Sequence, residues 1–219
     1  MKRFDAVFFD VDGTLIDSAP GILYTMEESF RHMGTDVSQV DLRQYMGPPL
    51  RKTFSEYYDD PEEIERAVDF YRASYAVKGC HMCSLFDGVP EMLQDLQKAG
   101  VLLYTATSKP EKVAAPMLEQ LGIAKYFTKI AGASMDAARD TKTAVIRSLL
   151  DRPELVGQRI LMVGDRRDDM IGAADCGLPT AAVLYGYGSE QELAPYHPGI
   201  LAEDCEQLKT YILKGECNE

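Results

Sequence analysis

Apolar positions along the chain fall alternately into short continuous runs and into helical spacing. Residues 4–9 are apolar or aromatic apart from Asp5 and stop at an acidic turn, which is typical of a buried strand. Strands that alternate with helices indicate crossover connections and a mostly parallel sheet. Four later runs, each predicted to form a strand, lie at 101–106, 130–132, 159–163 and 180–184. Amphipathic stretches predicted to form helices lie at 90–98, 110–121, 141–150, 168–176 and 206–213.

The segment between the first strand and this alternation has a different pattern. From Asp17 to Lys78 the apolar positions keep helical spacing, so the segment is predicted to be helical throughout. A helical block that interrupts an α/β pattern indicates an inserted cap. We therefore predict an α/β fold with a Rossmann-like parallel sheet core, formed by residues 1–15 and 87–219, and an inserted α-helical cap formed by residues 16–86.

Polar residues follow three of the predicted strands. In open parallel sheets, ligands bind beyond the carboxyl ends of the strands. The fold class therefore predicts that these three segments converge on one site, although they are far apart in sequence. The segments are Asp10-Val11-Asp12-Gly13, Thr107-Ser108-Lys109 and Gly164-Asp165.

The turn after the first strand carries two carboxylates. Asp10 and Asp12 are two positions apart, and in extended backbone their side chains point to the same side. Two neighbouring carboxylates repel each other unless a cation or a proton separates them, and Mg²⁺ prefers oxygen ligands. The pair is also able to divide its roles between an ionised nucleophile and a protonated general acid, with Gly13 allowing close approach of the backbone to a substrate. A plain β-turn is the alternative, since Asp-Gly is common in turns.

The other polar candidates have equally ordinary alternatives. Lys142 lies at the positive end of a predicted helix dipole, which hints at an anionic partner, but a lysine there is usually a solvated surface charge. Thr107 and the backbone beside it are able to bind phosphoryl oxygens, or simply to start the next helix. Asp165 and Asp169 either extend a cation site or supply an acidic first helical turn.

The charge of the chain restricts its partners. The sequence has 219 residues, of which 46% are hydrophobic and 26% charged, values typical of a globular protein. Its net charge of −12 repels nucleic-acid phosphates, so a nucleic-acid binder is not expected. The same charge repels a phosphorylated substrate. A site for such a substrate must therefore contain a local positive group.

Cysteine usage and the lengths of the apolar runs bear on location. The cysteine count is odd, the apolar run near the start is too short for a signal sequence, and no later stretch is long enough to span a bilayer. We therefore expect a cytoplasmic protein with free thiols and no membrane partner. Cys80 and Cys83 have the spacing of half a zinc site or of a redox pair, although incidental cysteines are the simpler interpretation. The remaining cysteines are Cys176, Cys205 and Cys217.

Residues 8–18, Phe-Phe-Asp-Val-Asp-Gly-Thr-Leu-Ile-Asp-Ser, resemble the first motif of the haloacid dehalogenase superfamily. Three further motifs follow in the order of that family and extend the resemblance over nearly the whole core. The resemblance implies a magnesium-dependent phosphatase in which Asp10 attacks phosphorus and Asp12 is the acid/base. It also implies that the Asp10 side chain and the Asp12 backbone carbonyl are among the ligands of the magnesium ion.

The later motifs assign further roles by the same resemblance. Thr107 is the phosphate-binding hydroxyl, and Lys142 is the cation that holds Asp10 and the transferring phosphoryl group. Asp165 is a direct magnesium ligand, and Asp169 steadies the surroundings of the ion through water or hydrogen bonds. The other expected substrate-binding residues of the core are Gly13, Ser108 and Lys109.

The predicted cap resembles the helical caps of phosphoglycolate phosphatase-like members, both in its position and in the segment 43–51. Within that segment, Arg43 and Arg51 are candidates to meet an anionic leaving group, with exposed surface arginines as the alternative. Residues 139–142, 164–166 and 186–189 resemble a 5′-nucleotidase-like branch. The expected substrate is therefore a small phosphorylated metabolite, either phosphoglycolate-like or a nucleoside monophosphate.

Other functions share these motifs. A phosphotransferase of the β-phosphoglucomutase type has all four motifs and differs in its cap, and a pyrophosphatase is a further alternative. An inactive binding module is the third class, since a fold does not determine a function. The intact Asp10, Asp12, Lys142 and Asp165 argue against that class. The sequence is compatible with either a monomer or a homodimer.

Overall fold

The chain divides into two compact units. A computed structural model describes residues 2–47, 50–134 and 139–214. One unit comprises Met1–Asp17 and Leu85–Glu219, and we call it the sheet unit. The other comprises Ser18–Ser84, and we call it the helical unit. Its role as a cap stays a prediction. Three residues discussed above, Pro48 and Pro49 of the segment 43–51 and Cys217, lie outside the described residues.

A parallel sheet forms the centre of the sheet unit. Its five strands run in the order β4-β1-β7-β8-β9, and every described pair is parallel. This arrangement confirms the predicted Rossmann-like α/β core. A separate parallel pair is formed by β5 and β6. The strands are β1 (Ala6–Phe9), β2 (Ile16–Asp17), β3 (Ser84–Leu85), β4 (Leu102–Thr105), β5 (Thr107–Pro110), β6 (Gly132–Ala133), β7 (Ile160–Gly164), β8 (Thr180–Val183) and β9 (Leu201–Ala202).

Both units also contain helices. The first three belong to the helical unit and the others to the sheet unit. Among the residues that the structure describes, no helix is long and apolar enough to cross a membrane. The helices are α1 (Ala19–His32), α2 (Leu50–Phe54), α3 (Pro61–Val77), α4 (Val89–Lys98), α5 (Glu111–Gln120), α6 (Lys142–Leu150), α7 (Arg167–Ala174), α8 (Glu190–Leu193) and α9 (Cys205–Lys214).

The first strand is the best-buried part of the sheet. All four residues of β1 are fully buried, because β4 and β7 pair with it on its two sides and both of its faces are covered. Phe8 packs edge-on against Tyr104 of β4, with ring centroids 5.5 Å apart. Val145 and Ile146 of α6 belong to the same apolar cluster. The uninterrupted apolar run in the sequence reflects this burial on both faces.

The prediction that the segment from Asp17 to Lys78 is helical throughout was wrong. Helix α1 ends at His32, and Gly34 then adopts a left-handed backbone conformation with a φ of 79°. Short aspartate side chains that accept nearby backbone N–H groups compete with helix formation. Asp36, Asp41 and Asp60 each accept a hydrogen bond from the backbone N–H two residues on, which breaks the segment into shorter helices.

Four short strands of the structure, β2, β3, β5 and β9, were not predicted from the sequence. The run predicted at 101–106 forms β4, which pairs with β1. The chain then continues into β5, which pairs with β6 instead. The last strand, β9, has only two residues, too few for a periodic pattern to reveal. Its partner β8 supplies the pairing that defines it.

The ion pair between Asp5 and Arg159, near the amino end of β1, makes the stability of the fold depend on pH. Hydrogen bonds from Arg159, including one of 2.9 Å from its Nε, lower the pKa of Asp5 from its ordinary 3.8 to about 2. Because the pKa is lower in the folded state, the pair stabilises the protein above about pH 4, and this contribution is lost as the pH falls toward 2. We expect Asp5→Asn to make the free energy of unfolding, measured with urea, decline less steeply across that window. Equal slopes for both proteins would contradict this role of Asp5.

Candidate active site

The carboxyl edge of the parallel sheet brings the predicted site residues of the sheet unit together. Asp10 directly follows β1, and its backbone N–H donates to the carbonyl of Val163 in β7. Asp165 directly follows β7, and Thr107 begins β5 just beyond β4. Lys142 is the first residue of α6, and Asp169 lies in the first turn of α7. Residues that are distant in sequence therefore share one edge because their strands are parallel neighbours.

A buried lysine joins the strand end of β1 to helix α7. The Nζ atom of Lys142 lies 2.8 Å from Oδ1 of Asp10 and 2.7 Å from Oδ1 of Asp169. It also donates a hydrogen bond of 2.9 Å to the backbone carbonyl of Ala106. Three oxygens thus surround an ammonium group that has three N–H bonds. The Lys142 side chain is only 5% exposed, so these contacts exist with little competition from water.

The position of Lys142 at a helix start is explained by this pairing. Thr141 caps α6 by accepting a hydrogen bond of 3.2 Å from the backbone N–H of Ala144. A cation beside that positive helix end is unfavourable by itself, but two carboxylates compensate for it. Gly172 leaves room for the lysine stem, since a Cβ atom there would lie 2.7 Å from Cγ of Lys142. The sequence indicated that Lys142 has an anionic partner, and the structure places two partners beside it.

Asp165 is held by two loops. Its Oδ1 accepts a hydrogen bond of 3.0 Å from the Thr14 hydroxyl, and its Oδ2 accepts one of 2.9 Å from the backbone N–H of Tyr187. Gly13 is in a left-handed conformation with a φ of 83°, and a Cβ atom at that position would lie 2.2 Å from Oδ2 of Asp165. Sequence reasoning assigned no site role to Thr14 or Tyr187. The glycines beside both residues were the available signal.

Asp169 is fixed through both of its oxygens. Oδ2 accepts backbone hydrogen bonds from Asp165 and Arg166, at 3.2 and 3.0 Å, while Oδ1 faces Lys142. Gly164 makes this approach possible, since a Cβ atom there would lie 2.2 Å from Cγ of Asp169. Asp169 therefore caps the start of α7 and also belongs to the buried charge cluster. An acidic first helical turn and a part in a cation site are thus compatible interpretations of this residue.

Burial and mutual repulsion control the protonation of the cluster. Burial, followed by the charges of Asp169 and Asp10, raises the pKa of Asp165 well above its ordinary value. Burial also raises the pKa of Asp169 to about 6, against the opposing effect of Lys142. Burial disfavours the charge on Lys142, but the carboxylates of Asp10 and Asp169 together outweigh it and raise the pKa of the lysine. Lys142 is therefore a permanent cation at neutral pH.

The donor set fits a divalent cation. Asp10, Asp165 and Asp169 are buried, and each offers an oxygen within 4.8 Å of the oxygens offered by the others. If all three carboxylates are ionised, their charge exceeds the single positive charge of Lys142 by two. Buried charge of this size is costly unless a cation or protons neutralise it. Oxygen ligands are those that Mg²⁺ prefers, so the residues present suit this ion.

A second ion pair is formed by Asp12, which lies two positions after Asp10, and Lys109. Asp12 Oδ2 lies 3.1 Å from Nζ of Lys109, whose side chain is only 8% exposed. The backbone N–H of Lys109 donates a hydrogen bond of 3.1 Å to the Thr107 hydroxyl oxygen, whereas Ser108 is exposed. The Asp12 side chain is not part of the three-carboxylate group in the described structure. Asp10 and Asp12 therefore pair with different lysines.

Of the residues singled out in the helical unit, Arg51 and the cysteine pair have local partners. Arg51 donates two hydrogen bonds to Glu65, the longer being 2.8 Å, and Arg43 is exposed on a 3₁₀ turn. Cys80 and Cys83 are not joined by a disulfide, and Cys83 donates a hydrogen bond of 3.4 Å to the backbone carbonyl of Cys80. A substrate-binding role for the arginines stays a prediction.

The sheet unit thus combines a Rossmann-like core with an acidic centre at the carboxyl edge of its sheet. The profile of the haloacid dehalogenase-like hydrolases matches residues 7–183, which is most of the chain. The protein belongs to this family of hydrolases, as the four motifs in its sequence indicated.

Named relatives differ in activity. Tyrosine-protein kinase PtkA of Mycobacterium tuberculosis is 43% identical over 83% of this chain, and the matched part spans 62% of the length of PtkA. A 5′-nucleotidase of Pseudomonas aeruginosa is 35% identical over 96% of each chain. A phosphoglycolate phosphatase of Vibrio cholerae is 28% identical over 97% of this chain and 99% of its own length.

Solved structures show the same fold. A haloacid dehalogenase-like hydrolase from Streptococcus pneumoniae, SP0104, has a TM-score of 0.86 and 32% identity over 95% of this chain and 98% of its own. The structure of PtkA from Mycobacterium tuberculosis has a TM-score of 0.81 and 38% identity over the same shares of the two chains. One fold therefore occurs in relatives with hydrolase and kinase names.

Proposed function

We propose that this protein is a magnesium-dependent phosphatase that hydrolyses a small phosphate monoester through an aspartyl-phosphate intermediate. One observation carries the proposal: the Asp10 carboxylate lies 2.8 Å from the ammonium of buried Lys142, within a group of three carboxylates that fits a divalent cation. This arrangement supplies a nucleophile and counterions for a phosphoryl group at the same place. It meets the requirement, set by the net charge of −12, for a local positive site.

In the first step, a carboxylate oxygen of Asp10 attacks phosphorus and the bond from phosphorus to the leaving oxygen breaks. Asp12 gives its proton to that oxygen, so the alcohol leaves in neutral form. In the second step, Asp12 takes a proton from water as the water oxygen attacks phosphorus. Inorganic phosphate is released, and the Asp10 carboxylate and the protonated Asp12 are regenerated.

Other residues stabilise the negative charge of the transferring group. Lys142 holds Asp10 in place and offers positive charge to the phosphoryl oxygens, and the Thr107 hydroxyl binds one of them. Lys109, which lies 3.1 Å from Asp12, orients that carboxylate and adds a second positive charge to the site. Ser108 and the backbone at Gly13 are the remaining substrate contacts that we propose in the core.

The side chains of Asp10 and Asp165 and the backbone carbonyl of Asp12 would hold the magnesium ion. When bound, the ion neutralises excess negative charge and polarises the phosphoryl group. Asp169 supports this site through its ion pair with Lys142 and through the hydrogen bonds that it accepts from the backbone N–H groups of residues 165 and 166. Because these contacts fix the orientation of the carboxylates, their oxygens are already in position when a cation or substrate binds.

We expect the substrate to be phosphoglycolate or a nucleoside monophosphate. Relatives that match this chain over nearly their whole length are named phosphoglycolate phosphatase and 5′-nucleotidase. Arg43 and Arg51 of the helical unit are proposed to contact the leaving group. The identity to a tyrosine-protein kinase favours phosphoryl transfer as a second candidate function. A mutase of the β-phosphoglucomutase type and a pyrophosphatase are tested by the same set of substrates.

Removal of the divalent ion is expected to lower the rate of phosphate release at least about 100-fold, because the ion supplies several kcal/mol of charge stabilisation. The measurement is phosphate release from p-nitrophenyl phosphate by protein treated with EDTA, before and after Mg²⁺ is added back. Mg²⁺ should also raise the unfolding temperature, since only the folded state brings the carboxylates together. A rate unaffected by EDTA would contradict the proposed function.

A panel of phosphorylated metabolites then separates the candidates. Phosphoglycolate, nucleoside monophosphates, pyrophosphate and hexose phosphates are supplied with Mg²⁺, and both free phosphate and rearranged sugar phosphate are measured. A tyrosine-containing peptide with ATP provides the kinase arm. Release of phosphate from a monoester supports the phosphatase, whereas an isomerised sugar phosphate or a phosphorylated peptide without monoester hydrolysis would replace it with a transferase.

A further inference from the structure

The loop after β8 encloses the side chain and backbone of Asp165. Two of its residues are glycines that approach Asp165 closely. A Cβ atom at Gly186 would lie 2.5 Å from Cβ of Asp165, and one at Gly188 would lie 1.9 Å from its backbone oxygen. Between them, the backbone N–H of Tyr187 donates to Oδ2 of Asp165 at 2.9 Å. The close approach therefore requires glycine on both sides of the donor residue.

The same loop is tied to the segment that follows Asp10. The Tyr187 hydroxyl donates a hydrogen bond of 3.1 Å to Oδ1 of Asp17, and the Tyr185 hydroxyl donates one of 3.2 Å to the backbone carbonyl of Thr14. Thr14 in turn donates to Oδ1 of Asp165. Each carboxylate oxygen of Asp165 is thus bound to one of two segments that are also bound to each other.

We propose that Tyr187 is a positioning residue for the metal site, which it serves by anchoring to Asp17 the backbone N–H that orients Asp165. The inference rests on the proposed function, because it takes Asp165 as a ligand of the divalent ion. Tyr187 itself does not touch the ion. Its side chain fixes the loop, and the loop fixes one oxygen of the carboxylate.

The geometry explains how the Tyr187 hydroxyl is expected to affect the affinity for the ion without touching it. Asp165 is fully buried, so its orientation depends on the hydrogen bonds that it accepts from the protein rather than on contacts with water. Groups that orient a metal ligand typically contribute about 10- to 100-fold to metal affinity. Tyr187→Phe keeps the backbone donor and removes only its anchor. We therefore expect a smaller loss, about three- to tenfold in affinity for the ion.

The test measures metal binding without any reaction. Mn²⁺ is the probe, because oxygen sites for Mg²⁺ also accept it and free Mn²⁺ is quantified by electron paramagnetic resonance. The dissociation constant of Mn²⁺ is measured for the full chain and for Tyr187→Phe. Tyr196→Phe is the matched control, since Tyr196 is an exposed tyrosine on the next 3₁₀ turn of the same unit. Weaker binding in Tyr187→Phe but not in Tyr196→Phe is expected.

A double variant tests the anchor itself. If the hydroxyl acts through Asp17, Tyr187→Phe should not weaken Mn²⁺ binding further in a protein that already carries Asp17→Ala. Activity supplies an independent readout. Saturating Mg²⁺ should restore kcat of Tyr187→Phe to near the original value, whereas a general structural defect would lower kcat at every Mg²⁺ concentration.

Two results would overturn the inference. One is Mn²⁺ binding by Tyr187→Phe within twofold of the unchanged protein, and the other is an equal loss with and without Asp17. Failure of the proposed function has a different signature, because the unchanged protein itself would then release no phosphate from p-nitrophenyl phosphate at saturating Mg²⁺.

Discussion

Replacing Asp10 by asparagine is expected to lower phosphate release at least about 10⁴-fold, the scale of loss seen when a covalent nucleophile is removed. An amide oxygen is a poor nucleophile, so no phosphoryl bond to residue 10 forms. The measurement is the rate of phosphate release at saturating Mg²⁺. A second readout is the phosphoryl label retained on the protein after acid quenching, which should be present in the unchanged protein and absent in Asp10→Asn.

The fold of Asp10→Asn should remain intact, which separates lost chemistry from lost structure. The substitution keeps the shape of the side chain and removes one of the buried carboxylates that exceed the charge of Lys142. Lys142 still has Asp169 and the carbonyl of Ala106 as partners. The unfolding temperature without metal should therefore not fall. Substantial phosphate release by a folded Asp10→Asn protein would remove residue 10 as the nucleophile.

Replacing Lys142 by methionine is expected to have the largest effect on stability. The apolar stem is retained, but Asp10 and Asp169 are left buried without their ammonium partner. Removing one partner of a buried ion pair typically costs about 3–5 kcal/mol. We expect a decrease of that size in the free energy of unfolding, measured with urea in the presence of EDTA.

A compensating variant distinguishes charge from packing. Adding Asp169→Asn to Lys142→Met removes one of the stranded charges, so it should recover part of the lost free energy of unfolding. The double variant should nevertheless remain at least about 100-fold less active, because it lacks the cation that stabilises the phosphoryl oxygens. A Lys142→Met protein as stable as the unchanged one would show that the lysine does not neutralise the cluster.

Much of the core site was predictable because it depends on the order of strands rather than on side-chain detail. Apolar runs that alternate with helical patterns imply a parallel sheet, and a parallel sheet gathers its carboxyl ends along one edge. Asp10 and Asp165 are therefore neighbours although 155 positions separate them in the sequence. The family resemblance then distinguished Lys142 from an ordinary surface lysine.

The supporting contacts of Asp165 were not predictable in the same way. They depend on two loops meeting after the sheet has formed, and neither Thr14 nor Tyr187 belongs to a periodic pattern. The helical unit was misread for a related reason. Hydrophobic spacing alone ignores the local hydrogen bonds of Asp36 and Asp41, which end regular structure within a segment of helical composition.

The burial of β1 has a consequence for Asp10, the proposed nucleophile. Local opening of a protein begins where backbone hydrogen bonds are exposed to solvent, and the strand that precedes Asp10 is covered on both faces and paired on both edges. Fluctuations that loosen the ends of the molecule therefore leave this residue in register. We expect the placement of Asp10 to persist until the sheet itself opens, so that this placement and the global fold are lost together.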